Sequence, residues 1–247
     1  MADFNFEVVT VQKRPDLWQA MQATTDAMWP EFMLHDAYAN RYWDGLPQDF
    51  PEFQFALLDV QTGQIAAAGN SLALRWDGDS LPDAGWDWAI EKGFQDRAAG
   101  KLPNIQCALS ITLAADYQGK GVSTRVVEAM KALGAAQGLQ TLIAPVRPNQ
   151  KSRYPLTPME RYIQWKNENG QPFDAWLRVH SRLGAKLLKI CPLSMRITGS
   201  VEQWEHWTHM RFPESGVYVI PGALVPVEID REGVYIEPNV WMQHRIG

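Results

Sequence analysis

The stretch Ile111–Gly138, ITLAADYQGKGVSTRVVEAMKALGAAQG, constrains this chain more than any other part of it. Ile111, Thr112 and Leu113 favour a strand. Asp116-Tyr117-Gln118-Gly119-Lys120-Gly121 then breaks it, because two glycines permit backbone angles that other residues resist. Val122, Val126, Met130 and Leu133 recur at helical spacing, so a helix begins at or just after Gly121. Strand, glycine loop and helix in that order aim the first free N–H groups of the helix back into the loop. Such a helix start suits a phosphate. The loop is not a P-loop, since Lys120 precedes Gly121 where G-x-x-x-x-G-K-S/T requires lysine after glycine. It is not a dinucleotide fingerprint either, because G-x-G-x-x-G would need glycine where Thr124 stands.

Gln118-Gly119-Lys120-Gly121-Val122-Ser123 resembles the pyrophosphate loop of the GCN5-related N-acetyltransferase (GNAT) superfamily, written R/Q-x-x-G-x-G/A. Ser123 replaces the usual glycine or alanine. The resemblance spans about residues 55–190. It implies an α/β fold of the α+β kind, with a central, mixed, splayed β-sheet flanked by helices. To that fold this chain would add insertions at 75–103 and 147–172 and a β-rich C-terminal extension at about 195–247, all in one domain over 1–247. The implied co-substrate is acetyl-coenzyme A or another acyl-coenzyme A, with no metal. Ile111, Thr112 and Leu113 would lie along the thioester arm. Gln118, Gly119, Lys120, Gly121, Val122, Ser123 and Thr124 would hold the pyrophosphate.

The run Val179-His180-Ser181-Arg182-Leu183-Gly184-Ala185 resembles the family segment Y-x-x-x-G-F/A, in which tyrosine protonates the departing thiolate. His180 occupies the tyrosine position, and a histidine can do this work near neutral pH. Tyr154 and Tyr162 are the alternatives. The family's asparagine seven residues earlier is replaced by Phe173. A small-molecule amine is the implied acceptor. Two other readings stay open: a coenzyme A-binding sensor without catalysis, and an enzyme of the same fold that takes a longer acyl-coenzyme A or decarboxylates one.

The rest of the chain fits one decorated α/β domain. Strands are expected over Phe4–Val11, Phe53–Val60, Ile65–Leu74, Asn104–Leu113 and Thr141–Val146, the last interrupted by Pro145. Helices are expected after Pro15, around Phe32–Tyr42, over Trp88–Ala99 and over Phe173–Leu188. Thr157, Pro158 and Glu160 have the pattern of a capping box opening a helix to Trp165. Short strands follow at Met195–Thr198, Val217–Ile220, Leu224–Ile229 and Gly233–Ile236, with a helix at Glu202–His209. Arg147, Lys151 and Arg153 are candidates for a coenzyme A 3′-phosphate, an acidic acceptor or a solvated loop. His35 is either an acceptor contact or a surface residue. Cys107, mid-strand, reads as inert core. His206 and His209 beside Glu202 and Glu205 read as a surface helix face.

The formal net charge of −5 argues against nucleic acid as a partner. Two cysteines in 247 residues argue against a disulfide framework and point to a reducing cytoplasm. No apolar run reaches membrane-spanning length, and the first residues lack the blocks of a signal peptide. A monomer or homodimer is expected. Eleven tryptophans are unusual; many belong to the core, and some are candidates to line an apolar or planar-ligand pocket.

Overall fold

The computed structural model describes residues 5–247. Strand β1 (Phe6–Thr10) leads into α1 (Leu17–Asp26), and Phe4 lies outside the described residues. A 3₁₀ turn at Glu31–His35 precedes α2 (Ala37–Tyr42), capped by the Asp36 carboxylate on the Tyr38 and Ala39 N–H groups. A short α3 (Leu46–Asp49) delivers the chain to the hairpin of β2 (Gln54–Asp59) and β3 (Ile65–Leu74). Then come α4 (Gly85–Ala98), β4 (Ile105–Leu113), α5 (Val122–Ala136) and β5 (Thr141–Val146). One turn of helix, α6 (Met159–Tyr162), and α7 (Ala175–Arg182) follow. The chain closes with β6 (Lys186–Ser200), α8 (Val201–Thr208), β7 (Gly216–Tyr218), β8 (Val227–Ile229) and β9 (Glu232–Arg245).

These strands form one mixed sheet in the order β1-β2-β3-β4-β5-β9-β8-β7, with β6 on the other edge of β9. The β4–β5 pair, joined through α5, is parallel. Helices cover both faces. Leu72 and Cys107 are register partners, so Gln106 points the other way. Gly93 of α4 packs on Leu72 and Gly134 of α5 packs on Gln106, which sets α4 and α5 on opposite faces. A Cβ at Gly93 or Gly134 would meet those side chains at 2.5 and 2.2 Å, so glycine is what lets each helix settle on the sheet. Ala68, two pleat periods from Leu72, packs on Leu17 and Met21, so α1 shares the face of α4.

Two departures from the sequence expectation have physical causes. Thr157 caps nothing: the helix starts a residue later with Pro158 at the cap position, and no side chain accepts its first N–H groups. The helix is then four residues long, too short for a capping box to matter. The expected helix Phe173–Leu188 is really α7, with Lys186–Leu188 already in β6. Gly184, at φ +80°, ends the helix in the left-handed region.

The C-terminal stretch is also more central than its sequence suggests. Strand β9 pairs with β5 along Thr141–Val146 and with β6 from Lys186 to Ser200. It lies in the middle of the sheet. Among the described residues no helix is long and apolar enough to cross a membrane.

Candidate active site

The β4–β5 ladder is short. Gln106 pairs with Leu142 and Cys107 with Ile143, and pairing then stops. Two features drive the strands apart. On β4, register slips from Ser71↔Ala108 to Asn70↔Ser110, making Leu109 the extra residue of a bulge. The Leu109 carbonyl accepts the Trp86 indole N–H at 2.8 Å. Across the bulge, Gln54 Nε2 donates to the Ser71 carbonyl at 2.7 Å, and Gln106 Nε2 donates to Ser71 Oγ at 2.9 Å. A buried amide network thus meets polar groups that the interrupted ladder leaves over. On β5, Pro145 has no N–H to offer, and the strand follows β9 instead, with Pro145 opposite Trp241.

A cavity of about 570 Å³ occupies the gap. Ala108 to Leu113 form one wall and Ala144 to Val146 the other, so Ile111, Thr112 and Leu113 all line it. Beyond Cys107↔Ile143, no strand among the described residues pairs with β4 on this side. At the mouth sits the glycine loop. Gly119 and Gly121 have φ of +71° and +81°, and Gly121 is the left-handed residue that opens α5. No side chain caps α5, so its first N–H groups remain available with their share of the helix dipole.

Gln118, Gly119 and Ser123 line the cavity. Lys120 and Gly121 are exposed beside it and Thr124 is half-buried. The Val122 side chain lies in the core, which leaves its backbone as the group on offer.

Helix α7 closes one side through Ala175, Trp176, Val179 and His180, a single helical face. Asp174 fixes its start. One carboxylate oxygen accepts the Trp176 and Leu177 N–H groups, and the other accepts the Gln150 N–H and the Tyr162 hydroxyl. His180 is buried, with Nδ1 2.8 Å from Nε2 of His244 on β9. Burial, reinforced by His244, pushes His180 down to about 3. His244 is likewise pushed down, to about 4, by burial and by Lys131. At neutral pH the His180 ring is therefore uncharged, where the sequence suggests an acid poised near neutrality.

Tyr154 and Tyr162 are not brought to the cavity. They pack with Trp165 and Phe173 in an aromatic cluster. Burial and Asp174 raise the Tyr162 hydroxyl well above its ordinary range.

The remaining wall comes from Trp29, Pro30, Trp86, Arg147, Met195 and Asn239. Arg147 Nε lies 3.0 Å from both oxygens of the fully buried Glu237, and a terminal nitrogen donates to the Gly222 carbonyl at 2.7 Å. Its guanidinium stands over the Trp29 ring at 5.5 Å. Lys151 is also turned inward. It donates to the Tyr154 and Leu224 carbonyls at 2.9 and 2.6 Å, and burial pushes it down to about 8. Of the three basic residues considered for the 3′-phosphate, Arg153 alone is exposed. His35 stacks on Trp207 with centroids 4.2 Å apart, away from the cavity wall.

Behind Trp86, Asp36 and Asp87 are buried together, and burial plus the neighbouring carboxylate pushes Asp87 up to about 9. The two side chains stand between the cap of α2 and the first turn of α4. Asp87 also accepts the Arg196 N–H of β6 at 3.2 Å. Cys107 is buried and its thiol is pushed far up, as an inert core residue would be.

The sequence reading missed Asn239, Met195 and Trp29 as wall residues, and it missed His244, which meets His180 from β9. His244 and Asn239 belong to a strand it ended at Ile236, just short of Pro238.

No protein-family model matches the chain. The arginine N-acetyltransferase avaD of Aspergillus versicolor is 31% identical to it, over 98% of this chain and 94% of the relative. The loading GNATL domain of CurA from Lyngbya majuscula superposes with a TM-score of 0.57 at 20% identity, over 98% of each chain. The GphF GNAT-like decarboxylase, solved with isobutyryl-CoA, gives 0.56 at 16% identity, over 98% of this chain and 100% of its own. These two likenesses bear on fold, and the fungal relative on family. The splayed β4–β5 pair, the glycine loop and that full-length relationship agree: the chain belongs to the GCN5-related N-acetyltransferase superfamily, enzymes that move an acyl group from acyl-coenzyme A to an amine.

Proposed function

We propose that the protein transfers the acetyl group of acetyl-coenzyme A to a nitrogen of arginine or of a small molecule carrying an arginine-like side chain. The observation that carries the donor half is the end of the β4–β5 ladder after Cys107↔Ile143, with the glycine loop at the open end of the gap. The pyrophosphate sits on the N–H groups of the loop and of the first turn of α5. The pantetheine arm enters between the strands and takes the hydrogen bonds that β5 would otherwise supply. The name of the fungal relative supports the acceptor half.

The neutral acceptor nitrogen attacks the thioester carbonyl directly. A backbone N–H on the unpaired edge of β4 meets the developing oxyanion. Such a fixed donor counts most when the charge appears. The C–N bond forms, the C–S bond breaks, and the proton lost by nitrogen balances the one gained by sulfur. Trp29 and Trp86 supply flat apolar surface for the acceptor side chain. Tyr154 and Tyr162 take no part. His180 borders the cavity uncharged at neutral pH.

The test is turnover of acetyl-coenzyme A with arginine, read by free thiol and by the mass of the product. Thiol release that depends on arginine is expected. Tight binding of acetyl-coenzyme A with no thiol release against arginine or a broad amine panel would show a sensor instead.

A further inference from the structure

The cavity lies between β4 and β5, and side chains from both faces of the sheet line it. On one face stand α5, into which the glycine loop leads, and α7, which packs against α5. On the other stand α1 and α4. Thr112 is the register partner of Ala68, so its side chain belongs to the α1 and α4 face. The Thr112 hydroxyl accepts the Trp29 indole N–H at 3.4 Å, and the Arg147 guanidinium stands over that indole. Trp86 of α4 lines the cavity on the same side. Arg147 thus lies on the side of the gap away from α5 and the phosphate-binding N–H groups.

Among the described residues that line the cavity, Arg147 alone carries a full charge at neutral pH, and none is an aspartate or glutamate. Its guanidinium is held on three sides. Nε lies 3.0 Å from both oxygens of Glu237, Nη2 donates to the Gly222 carbonyl at 2.7 Å, and the Trp29 ring centre is 5.5 Å away. Glu237 is fixed in turn by the Tyr235 hydroxyl at 2.9 Å. The remaining nitrogen, Nη1, makes no hydrogen bond among the described residues, and the side chain keeps 19% of its surface exposed. Arginine is a donor only, so Nη1 takes an acceptor, and its charge favours an anion. Ser110 and Thr112 share this face with hydroxyls 3.4 Å apart. One of their two protons serves the contact between them, and the other is left for a ligand.

We infer that Arg147 reads a carboxylate on the acceptor: the substrate is an amino acid with a free carboxyl group, which lies against Nη1 while its reacting nitrogen faces the thioester. The inference rests on the proposed transfer to arginine and narrows it. Arginine itself fits, and a relative whose carboxyl is removed or amidated does not.

The test compares arginine with argininamide, which keeps every nitrogen of arginine and replaces the carboxylate with a neutral amide. Calorimetry on the natural protein loaded with coenzyme A should show arginine bound at least about tenfold more tightly, the size of one charge-assisted hydrogen bond. Equal affinity, or no binding of either, overturns the inference. Preferred binding of arginine with no thiol release from acetyl-coenzyme A would remove the transfer reading and leave the carboxylate contact standing.

A second arm reads kcat/KM for the two compounds. Arg147→Gln should bring their ratio close to one, the loss falling on the KM for arginine. A purely structural arginine would lower both compounds alike and keep the ratio, which would overturn the assignment. Arg147→Lys keeps a charge beside Glu237 and should retain part of the preference, so it holds the test open if the glutamine variant fails to fold. Tighter binding of malonyl- than of acetyl-coenzyme A that disappears in Arg147→Gln would place the carboxylate on the donor and overturn the inference as well.

Discussion

At the scale of single residues, burial sets the chemistry of this molecule more than charge pairing does. His180 shows it: a sequence position suited to a near-neutral acid becomes, once buried against His244, a ring held near 3. The pH profile of kcat should then lack a histidine limb between about 5 and 8, because unperturbed histidine titrates near 6.5 and this one does not. A limb in that range that vanishes in His180→Gln would contradict the account. The same depressed values make the folded state bind fewer protons than the unfolded one below about pH 6.5. The pair's contribution to stability is thus present above that range and lost as pH falls toward 3. Asp87 runs the opposite way. Its folded value is raised to about 9, so its contribution is full below the unfolded carboxylate range and declines as pH rises toward 9. Asp87→Asn can donate to Asp36 and still accept from Arg196 without a titrating proton. Denaturant midpoints at about pH 5 and about pH 9 should show a shallower decline for Asp87→Asn than for the natural protein. A parallel decline in both would remove the raised Asp87 carboxyl from the account.

At the scale of elements, the legible parts were those with strong local signals. The glycine loop, α5 and the β2–β3 hairpin follow from periodicity and turn residues, and the structure has them within a residue or two. What failed was a cap motif without a helix long enough to need it. Thr157→Ala should therefore change stability by less than about 0.5 kcal/mol, the range of surface substitutions. Asp174→Ala should cost about 2–4 kcal/mol, because it removes a helix cap and orphans the buried Tyr162 hydroxyl. Denaturant melts of the two variants side by side check this, and equal costs would show that the caps are misplaced. Most of the cavity wall was hidden for a different reason. The bulge at Leu109 and the pairing of His180 with His244 are long-range facts, set by which strand lies beside which. Pro238 also concealed β9, since proline reads as a strand end. In the fold it sits where the β6–β9 register slips between Cys191 and Met195, a place that tolerates it.

At the scale of the whole molecule, β9 joins two halves. It holds β5 away from β4 and so keeps the gap open, and it carries β6 and β8 on its length. The C-terminal residues are thus part of the frame around the cavity. Ending the chain after Glu237 removes every residue of β9 that pairs with β5. That truncated chain should lack a cooperative unfolding transition by circular dichroism. A cooperative transition that survives would show that the sheet closes without β9.

The central claim is that the gap between β4 and β5, with its glycine loop, is the seat of an acyl-coenzyme A. Calorimetry with acetyl-coenzyme A measures this most directly, on the natural protein, on Gly121→Glu and on Ser123→Glu. The second variant adds bulk and charge at the loop without disturbing a left-handed backbone position. The account predicts saturable binding by the natural protein. Both folded variants should bind at least about tenfold more weakly, a loss of about 1.4 kcal/mol or more. Affinity unchanged in both folded variants would contradict it.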